Sequence, residues 1–378
     1  MLKVTIFPER LIGATSQVFA GLYDLRHNKE LRVRRASADF PALDPESLHE
    51  WLIALRVQDE DGSEINAVID LIDGQDIASV PHLEWADIYF KSSLRVGTPA
   101  YASQKVVPYG LRYAITSSHE SLLDRFRFAL SAGFRGRGSP HTPSTWMLRT
   151  LSQPTWLAMS RFKSTEALSK LPPTERYFES SPSSAVTPRV YYRTKTYSLD
   201  AARTPEDAEE FHKVNEMRAN TIRALRSTLG RAFVGGIRPT PFALANYPDV
   251  VMRERQSLRE HLEMVKRSAI CVTTHGLFGS TDWKVAEYLA ASKCIVLEKL
   301  ADQLPVPLKE GRQALSFTSP EECVQQCERI LREPGLLTRL RQGAWTYYQQ
   351  HVRPSSIVRN CLETALGRKQ ASNAISSG

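Results

Sequence analysis

Apolar and polar positions along this 378-residue chain fall into strand-length and helix-length blocks that alternate. LKVTIF (2–7) reads as a short buried strand. The next block, Ser16 to His27, carries Val18, Phe19, Leu22 and Leu25 on one helical face. LRVRRA (31–36) alternates apolar and basic residues, as a strand does, and LHEWLIALRV (48–57) is spaced as an amphipathic helix. INAVIDLID (65–73) is a strong strand, and ADIYF (86–90) and KVVPYG (105–110) are shorter ones. Such alternation predicts a parallel sheet with helices on both faces.

The pattern breaks between residues 133 and 188, where Gly, Pro, Ser and Thr accumulate around a helix-like stretch from Met147 to Lys170. This segment is expected to end a first domain and supply the linker. A second strand–helix series follows. PRVYYRTKTY (188–197) is its first strand. Thr204 then caps a helix running to Leu229, with Pro205, Glu206 and Asp207 suited to its first turn. RAFVGGI (231–237), AICVTTH (269–275), CIVLEKL (294–300) and QALSF (313–317) are strands; 258–268, 281–293 and 319–333 are helices. The last ten residues, 369–378, are expected to be disordered. The chain is too long for one hydrophobic core and suits two α/β domains. The boundaries expected are 1–185, 186–350, and 351–378 for a last helix and tail.

Composition changes little in this picture. Hydrophobic residues make up 42% and charged residues 24%, as in an ordinary globular chain. No apolar run is long enough to cross a membrane, and Pro8, Glu9 and Arg10 interrupt the first apolar stretch, so no secretory leader is expected. The five cysteines fit a reducing, cytoplasmic setting; Cys323 and Cys327 stand one helical turn apart, but no further Cys or His pair follows at zinc spacing. Charge adds more. The formal net charge is +8, with local excess at Arg32, Arg34 and Arg35 and at Arg125, Arg127, Arg135 and Arg137. That favours an anionic partner such as nucleotide phosphates or the inner face of a membrane, met by peripheral contact. No nucleic-acid-binding motif accompanies the charge, so nucleic acid is not expected.

The densest chemistry lies between Val265 and Pro307. Strand AICVTTH leads through the turn GLFGST into helix DWKVAEYLAA and strand CIVLEKL. Gly276 and Gly279 permit a tight turn. Gly279, Ser280, Thr281 and the Lys284 ammonium lie where a helix start would bind a phosphate. Glu287 follows Lys284 by one turn, and a carboxylate there can accept two hydrogen bonds from ribose hydroxyls. On spacing alone the stretch favours an ordinary βαβ unit with a capped helix and a surface Lys284–Glu287 pair, because glycine turns before helices are common. Arg193 and Lys195 alternate along the strand at 188–197, so both can point the same way, as in any basic strand end. Gly235, Gly236 and Arg238 sit at another strand end. Asp59, Glu60 and Asp61 with Gly62 read as a polar turn rather than a metal site, and Asp70 and Asp73 end a strand. Tyr89, Phe90, Lys91, Tyr109 and Gly110 sit at strand ends that could line an acceptor site. No residue stands out as a catalytic base.

On these residues the second half, about 186–365, resembles the donor domain of GT-B glycosyltransferases of the group 1, GT4-like set. Lys284, Glu287, Leu289, Ala290, Ala291 and Ile295 to Leu297 match the end of that family's donor motif, and LKEGRQALSFTSPEECVQQC its next block. The resemblance implies two Rossmann-like α/β domains facing a central cleft, with a C-terminal helix crossing back to the first domain. It implies transfer of a sugar from a nucleotide-diphosphate sugar to a hydroxyl acceptor, carbohydrate, lipid-linked or other, in polysaccharide or glycoconjugate synthesis. Glu287 would hold the donor ribose. Arg193, Lys195, Gly279, Ser280, Thr281 and Lys284 would hold the diphosphate, with neither metal nor cofactor required. One departure stands out. The family pairs its ribose carboxylate with a second one eight residues earlier, and that position is Gly279 here. A noncatalytic nucleotide-sugar-binding or scaffold protein of the same shape is the alternative this leaves.

Overall fold

The computed structural model describes residues 1–7, 15–36, 51–120 and 173–376. The chain divides into two compact units, one formed by Met1–Glu175 with Arg353–Gly378, the other by Arg176–Val352. The expected helix at 147–170 and the basic positions 125, 127, 135 and 137 lie outside the described residues.

The first unit carries a six-stranded sheet in the order β2-β1-β3-β4-β5-β6. Its strands are β1 (Leu2–Ile6), β2 (Leu31–Arg35), β3 (Leu52–Gln58), β4 (Glu64–Asp70), β5 (Ile88–Lys91) and β6 (Val106–Pro108). Helix α1 (Ser16–His27) joins β1 to β2, and α2 (Val80–Trp85) precedes β5. The sheet is mixed rather than parallel, because β3 runs antiparallel to both β1 and β4. The helix expected over 48–57 is therefore strand β3 from Leu52 onward, and 48–50 lie outside the described residues. The physical reason is burial on both faces. Ile53, Leu55 and Val57 enter one core, while Leu52 and Ala54 enter the core on the opposite face. A strand covered twice has no polar alternation and mimics a buried helix. The link from β3 to β4 is the polar turn at Asp59, closed by Ser63 N–H donating to Asp59 Oδ1 at 2.8 Å. A connection that short permits only antiparallel pairing.

Helix α9 (Pro354–Ser376, numbered last in chain order) packs on α1 within this first unit. Gly21 marks their crossing: a Cβ there would lie 2.2 Å from the Pro354 carbonyl oxygen. Arg359 closes the contact with a bidentate ion pair to Glu30. The tail expected to be disordered continues this helix as far as Ser376.

The second unit is a five-stranded, all-parallel sheet of β7 (Thr187–Thr194), β8 (Phe233–Ile237), β9 (Ser268–Thr273), β10 (Cys294–Glu298) and β11 (Ala314–Phe317). Its helices are α3 (Pro205–Leu229), α4 (Pro241–Asn246), α5 (Leu258–Arg267), α6 (Lys284–Ala290), α7 (Pro320–Arg332) and α8 (Pro334–Tyr347). The caps are those the sequence calls for. Thr204 accepts from Asp207 N–H, Ser319 from Glu322 N–H, and Ser257 with Glu260 forms a full capping box. Neighbouring tyrosines on β7 serve opposite faces, as strand alternation requires: Tyr192 joins the core under α3, and Tyr191 meets α5. Gly235 is forced by close packing, since a Cβ there would lie 1.9 Å from the Tyr192 carbonyl oxygen. Helix α6 is shorter than the 281–293 expected, at seven residues.

Among the described residues, no helix is long and apolar enough to cross a membrane. All five cysteines are free and buried.

Candidate functional site

The second sheet runs β8-β7-β9-β10-β11, so crossovers leave β7 in one direction and continue from β9 in the other. In a doubly wound parallel sheet, the carboxyl ends on either side of that reversal border a crevice where ligands bind. Here those ends are Thr194 on β7 and Thr273 on β9.

Arg218 of α3 fixes both strand exits. It is 2% exposed, and its guanidinium donates to the carbonyls of Lys195 at 2.8 Å and His275 at 2.7 Å, and to Thr274 Oγ1 at 3.2 Å. The Tyr192 hydroxyl meets the same Thr274 oxygen at 2.9 Å. One buried side chain thus ties the two segments whose spacing defines the crevice.

The turn after β9 is tight and strained. Gly276 N–H donates to the Ser280 carbonyl at 2.8 Å, and Phe278 sits in the left-handed region at φ 54° while remaining 48% exposed. Several of its donors are already committed, and this alters the expected phosphate cradle. Phe278 N–H goes to Glu210 Oε1 at 2.7 Å. Thr281 gives both its N–H and its hydroxyl to Asp302 Oδ2, each at 2.9 Å. Lys284 N–H donates to Asp282 Oδ1 at 3.0 Å, and the Lys284 ammonium pairs with the other oxygen of that carboxylate. Burial alone would raise the Asp282 carboxyl, but Lys284, and after it Arg218, outweigh burial and hold it below the usual carboxylate range. Ser280 is 5% exposed, and Gly279 serves the turn at φ 66°. Of the residues expected to receive a diphosphate at 279–284, Thr281 and Lys284 therefore face two protein carboxylates, Asp302 and Asp282, and the short α6 offers no open amino end.

Three cations stand at β7 and beyond it, with the Glu260 carboxylate near enough to feel Arg193. Arg193 on β7, Arg238 directly after β8 and Arg255 before α5 lie close enough for each charge to be felt at Arg238. Burial first, then Arg193 and Arg255, press the Arg238 pKa below its ordinary value. Arg193 Nη2 donates to the Gln256 carbonyl at 3.0 Å, and its buried Nε has no partner. Among the described residues, no carboxylate forms an ion pair with any of the three. Lys195 does not join them: its ammonium lies 4.9 Å from the Tyr197 ring centroid.

Glu287 completes the arrangement. Its Oε2 lies 3.3 Å from Nε2 of the buried His261 of α5, and among the described residues Oε1 has no hydrogen-bond partner. His261 feels both Glu287 and Arg193, so the carboxylate and the arginine cluster border the same imidazole. Beside them, His275 N–H donates to Glu298 Oε2 at 2.9 Å, with Nδ1 3.4 Å from the other oxygen and Nε2 unpartnered.

No family model matches the chain, and no curated protein matches it. Solved structures similar to it are distant. A glycosyltransferase from Rickettsia africae ESF-5 is 12% identical with a TM-score of 0.37, over 74% of this chain and 62% of that one. The C-terminal domain of a glycosyl transferase group 1 family protein from Francisella tularensis is 10% identical with a TM-score of 0.33, over 45% of this chain and 88% of that one. A UDP-GlcNAc 2-epimerase from Neisseria meningitidis, bound to UDP-GlcNAc, is 9% identical with a TM-score of 0.34, over 76% of this chain and 63% of that one. Likenesses with TM-scores this low do not bear on the chemistry of the site.

The strand-end residues of the first unit do not form an acceptor surface. Tyr89, Phe90, Lys91 and Tyr109 are at most 3% exposed. Buried Asp70 accepts from the Tyr89 hydroxyl at 2.8 Å and from the Lys91 ammonium at 3.1 Å, so this cluster holds β4 to β5. Among the described residues, no group of three His, Cys, Asp or Glu side chains could hold a metal ion. Cys323 and Cys327 are buried in the core under α7.

Arg218, His261, Arg255 and the His275–Glu298 pair are absent from the sequence-based site. Arg218 and His261 had a signal: each interrupts the apolar stripe of its helix, Arg218 among Phe211, Ile222 and Leu225, and His261 beside Leu262 and Val265.

Proposed function

We propose that the chain is a glycosyltransferase whose second unit binds a nucleoside-diphosphate sugar at the carboxyl edge of its parallel sheet. The observation that carries this reading is a cluster of Arg193, Arg238 and Arg255 that, among the described residues, forms no ion pair, beside the Glu287 carboxylate, whose Oε1 has no hydrogen-bond partner among those residues, at the reversal of strand order. Adjacent guanidiniums repel one another, and a dianionic ligand relieves that repulsion. Diphosphate binding thus moves from the turn at 279–284 to the arginines, with Arg193 kept from the sequence-based set. Glu287 takes the ribose hydroxyls through Oε1.

In the transfer, the acceptor hydroxyl oxygen bonds to the anomeric carbon as the bond from that carbon to the phosphate oxygen breaks, and the hydroxyl proton passes to the departing diphosphate. The electron pair leaves with the diphosphate, and the arginines stabilise the charge that develops there. The acceptor is a hydroxyl compound, carbohydrate or lipid-linked. The setting is the cytoplasm, in polysaccharide or glycoconjugate synthesis. Peripheral contact with an anionic membrane has a face to use, an open hollow of ≈ 420 Å³ lined by Arg26, Lys29, Arg32 and Arg34.

Glu287→Ala is expected to weaken nucleoside diphosphate binding about tenfold, the worth of one charge-assisted hydrogen bond, while leaving inorganic pyrophosphate binding unchanged. Calorimetric titration measures both. Equal affinity for the nucleotide in both proteins would remove Glu287 from the ribose. The noncatalytic reading draws on Gly279, which stands where a second carboxylate is missing. Tight nucleotide binding with neither transfer nor hydrolysis of any nucleotide sugar would favour it.

A further inference from the structure

Glu287 is held through a chain of side chains that reaches back into the sheet. His261 Nε2 lies 3.3 Å from Glu287 Oε2, His261 Nδ1 lies 2.8 Å from the Tyr191 hydroxyl, and that hydroxyl lies 3.0 Å from Gln256 Oε1. The links come from α6, α5, β7 and the loop before α5. Tyr191 is fully buried, His261 is 2% exposed and the Glu287 side chain 13%. The charges facing the imidazole are Glu287 and Lys284 on α6 and Arg193 on β7. Burial pushes the imidazole pKa down, and Arg193 and Lys284 add to that against the pull of Glu287, so the ring is neutral near pH 7.

A neutral imidazole has one N–H to place. On Nδ1 it would leave the Nε2 lone pair facing a carboxylate. On Nε2 it donates to Glu287 and frees Nδ1 to accept the Tyr191 proton. The Gln256 amide then turns its NH₂ to the phenol oxygen, an interchange of amide N and O that leaves the heavy-atom positions unchanged. Only the second arrangement satisfies every group.

We infer that His261 is a positioning residue: its Nε2–H fixes Oε2 of Glu287 and thereby keeps Oε1 turned toward the hydroxyl pair of a bound nucleoside. The inference rests on the reading of the site as one for a nucleoside diphosphate. A helix-borne glutamate without this anchor would sample several rotamers and lose much of its preference for a diol.

The test compares two probes on one protein, inorganic pyrophosphate and whichever of UDP, GDP, ADP and TDP binds the wild type most tightly. The ratio of their affinities isolates what the nucleoside adds. His261→Leu should lower that ratio about tenfold with pyrophosphate affinity unchanged, whereas a merely structural role would weaken both probes together. His261→Gln, whose amide places a donor near the former Nε2, should keep the ratio within about threefold of wild type. Should His261→Leu not fold, Tyr191→Phe removes only the hydroxyl that sets the tautomer, and a ratio reduced roughly threefold is expected. An intact ratio in His261→Leu, or failing that in Tyr191→Phe, overturns the inference. If Glu287→Ala loses the ratio in that same series, the nucleotide reading stands without it. A wild type that binds none of the four nucleotides overturns the nucleotide reading and the inference with it, and a Glu287→Ala protein with an unchanged ratio removes Glu287 from the ribose and overturns the inference.

Discussion

Alanine in place of Arg193 is expected to weaken binding of the preferred nucleoside diphosphate roughly 10- to 100-fold, the range for losing a hydrogen-bonded phosphate contact. Alanine at both Arg193 and Arg238 should reduce affinity further, toward the limit of detection. The unliganded protein should respond in the opposite sense. Arg193 contributes to the pressure on Arg238, so its removal relieves repulsion between neighbouring cations. The loss of the Arg193 contact to the Gln256 carbonyl offsets part of that relief. Thermal unfolding of Arg193→Ala without ligand should therefore stay near the wild-type midpoint, while the stabilisation seen on adding nucleotide disappears. A variant that unfolds much earlier yet still gains full stabilisation from nucleotide would mean that the cluster serves the fold and not the ligand.

The largest effect on stability is expected at Arg218. Leucine there removes three donated hydrogen bonds and leaves the Lys195 and His275 carbonyls without their partner. Each buried acceptor left unsatisfied costs about 1–3 kcal/mol, so a total of about 3–5 kcal/mol is expected. For a unit of this size that lowers the unfolding midpoint by roughly 10 °C. Lysine restores charge but not the fork that reaches two strands at once, and should recover less than half of the loss. Nucleotide affinity should fall as well, because the exits of β7 and β9 are no longer tied. Guanidinium denaturation of both variants measures the first effect, and titration of the lysine variant the second.

The second unit was largely legible in the sequence because its signals are local. Several helix starts have their caps, as at Thr204 and Ser319, and each strand is a short apolar run with a polar exit. The first unit was legible in outline only. Strand β3 lies between two covered faces, so its run from Leu52 to Val57 lacks the alternation that marks a strand. The site divides the same way. Glu287 and Arg193 of the proposed site stand in the sequence at a first helical turn and a strand end. What the sequence does not announce is which donors remain open after folding. Thr281 and Lys284 have the right chemistry for a phosphate, but Asp302 and Asp282, brought in by tertiary structure, take it first. Arg255 and His261 gain meaning only through neighbours on other elements. The departure at Gly279 fits this pattern, since that glycine completes a strained turn where the resembled family places a carboxylate.

Hydrogen exchange with and without nucleoside diphosphate tests the location of the site most directly. With the nucleotide bound, slowed exchange is expected in amides 190–197, 235–240, 253–262 and 284–290, the segments that carry the three arginines, His261 and Glu287. A nucleotide that binds measurably but protects none of these, and slows exchange only elsewhere in the chain, would contradict a donor site at the carboxyl edge of the second sheet.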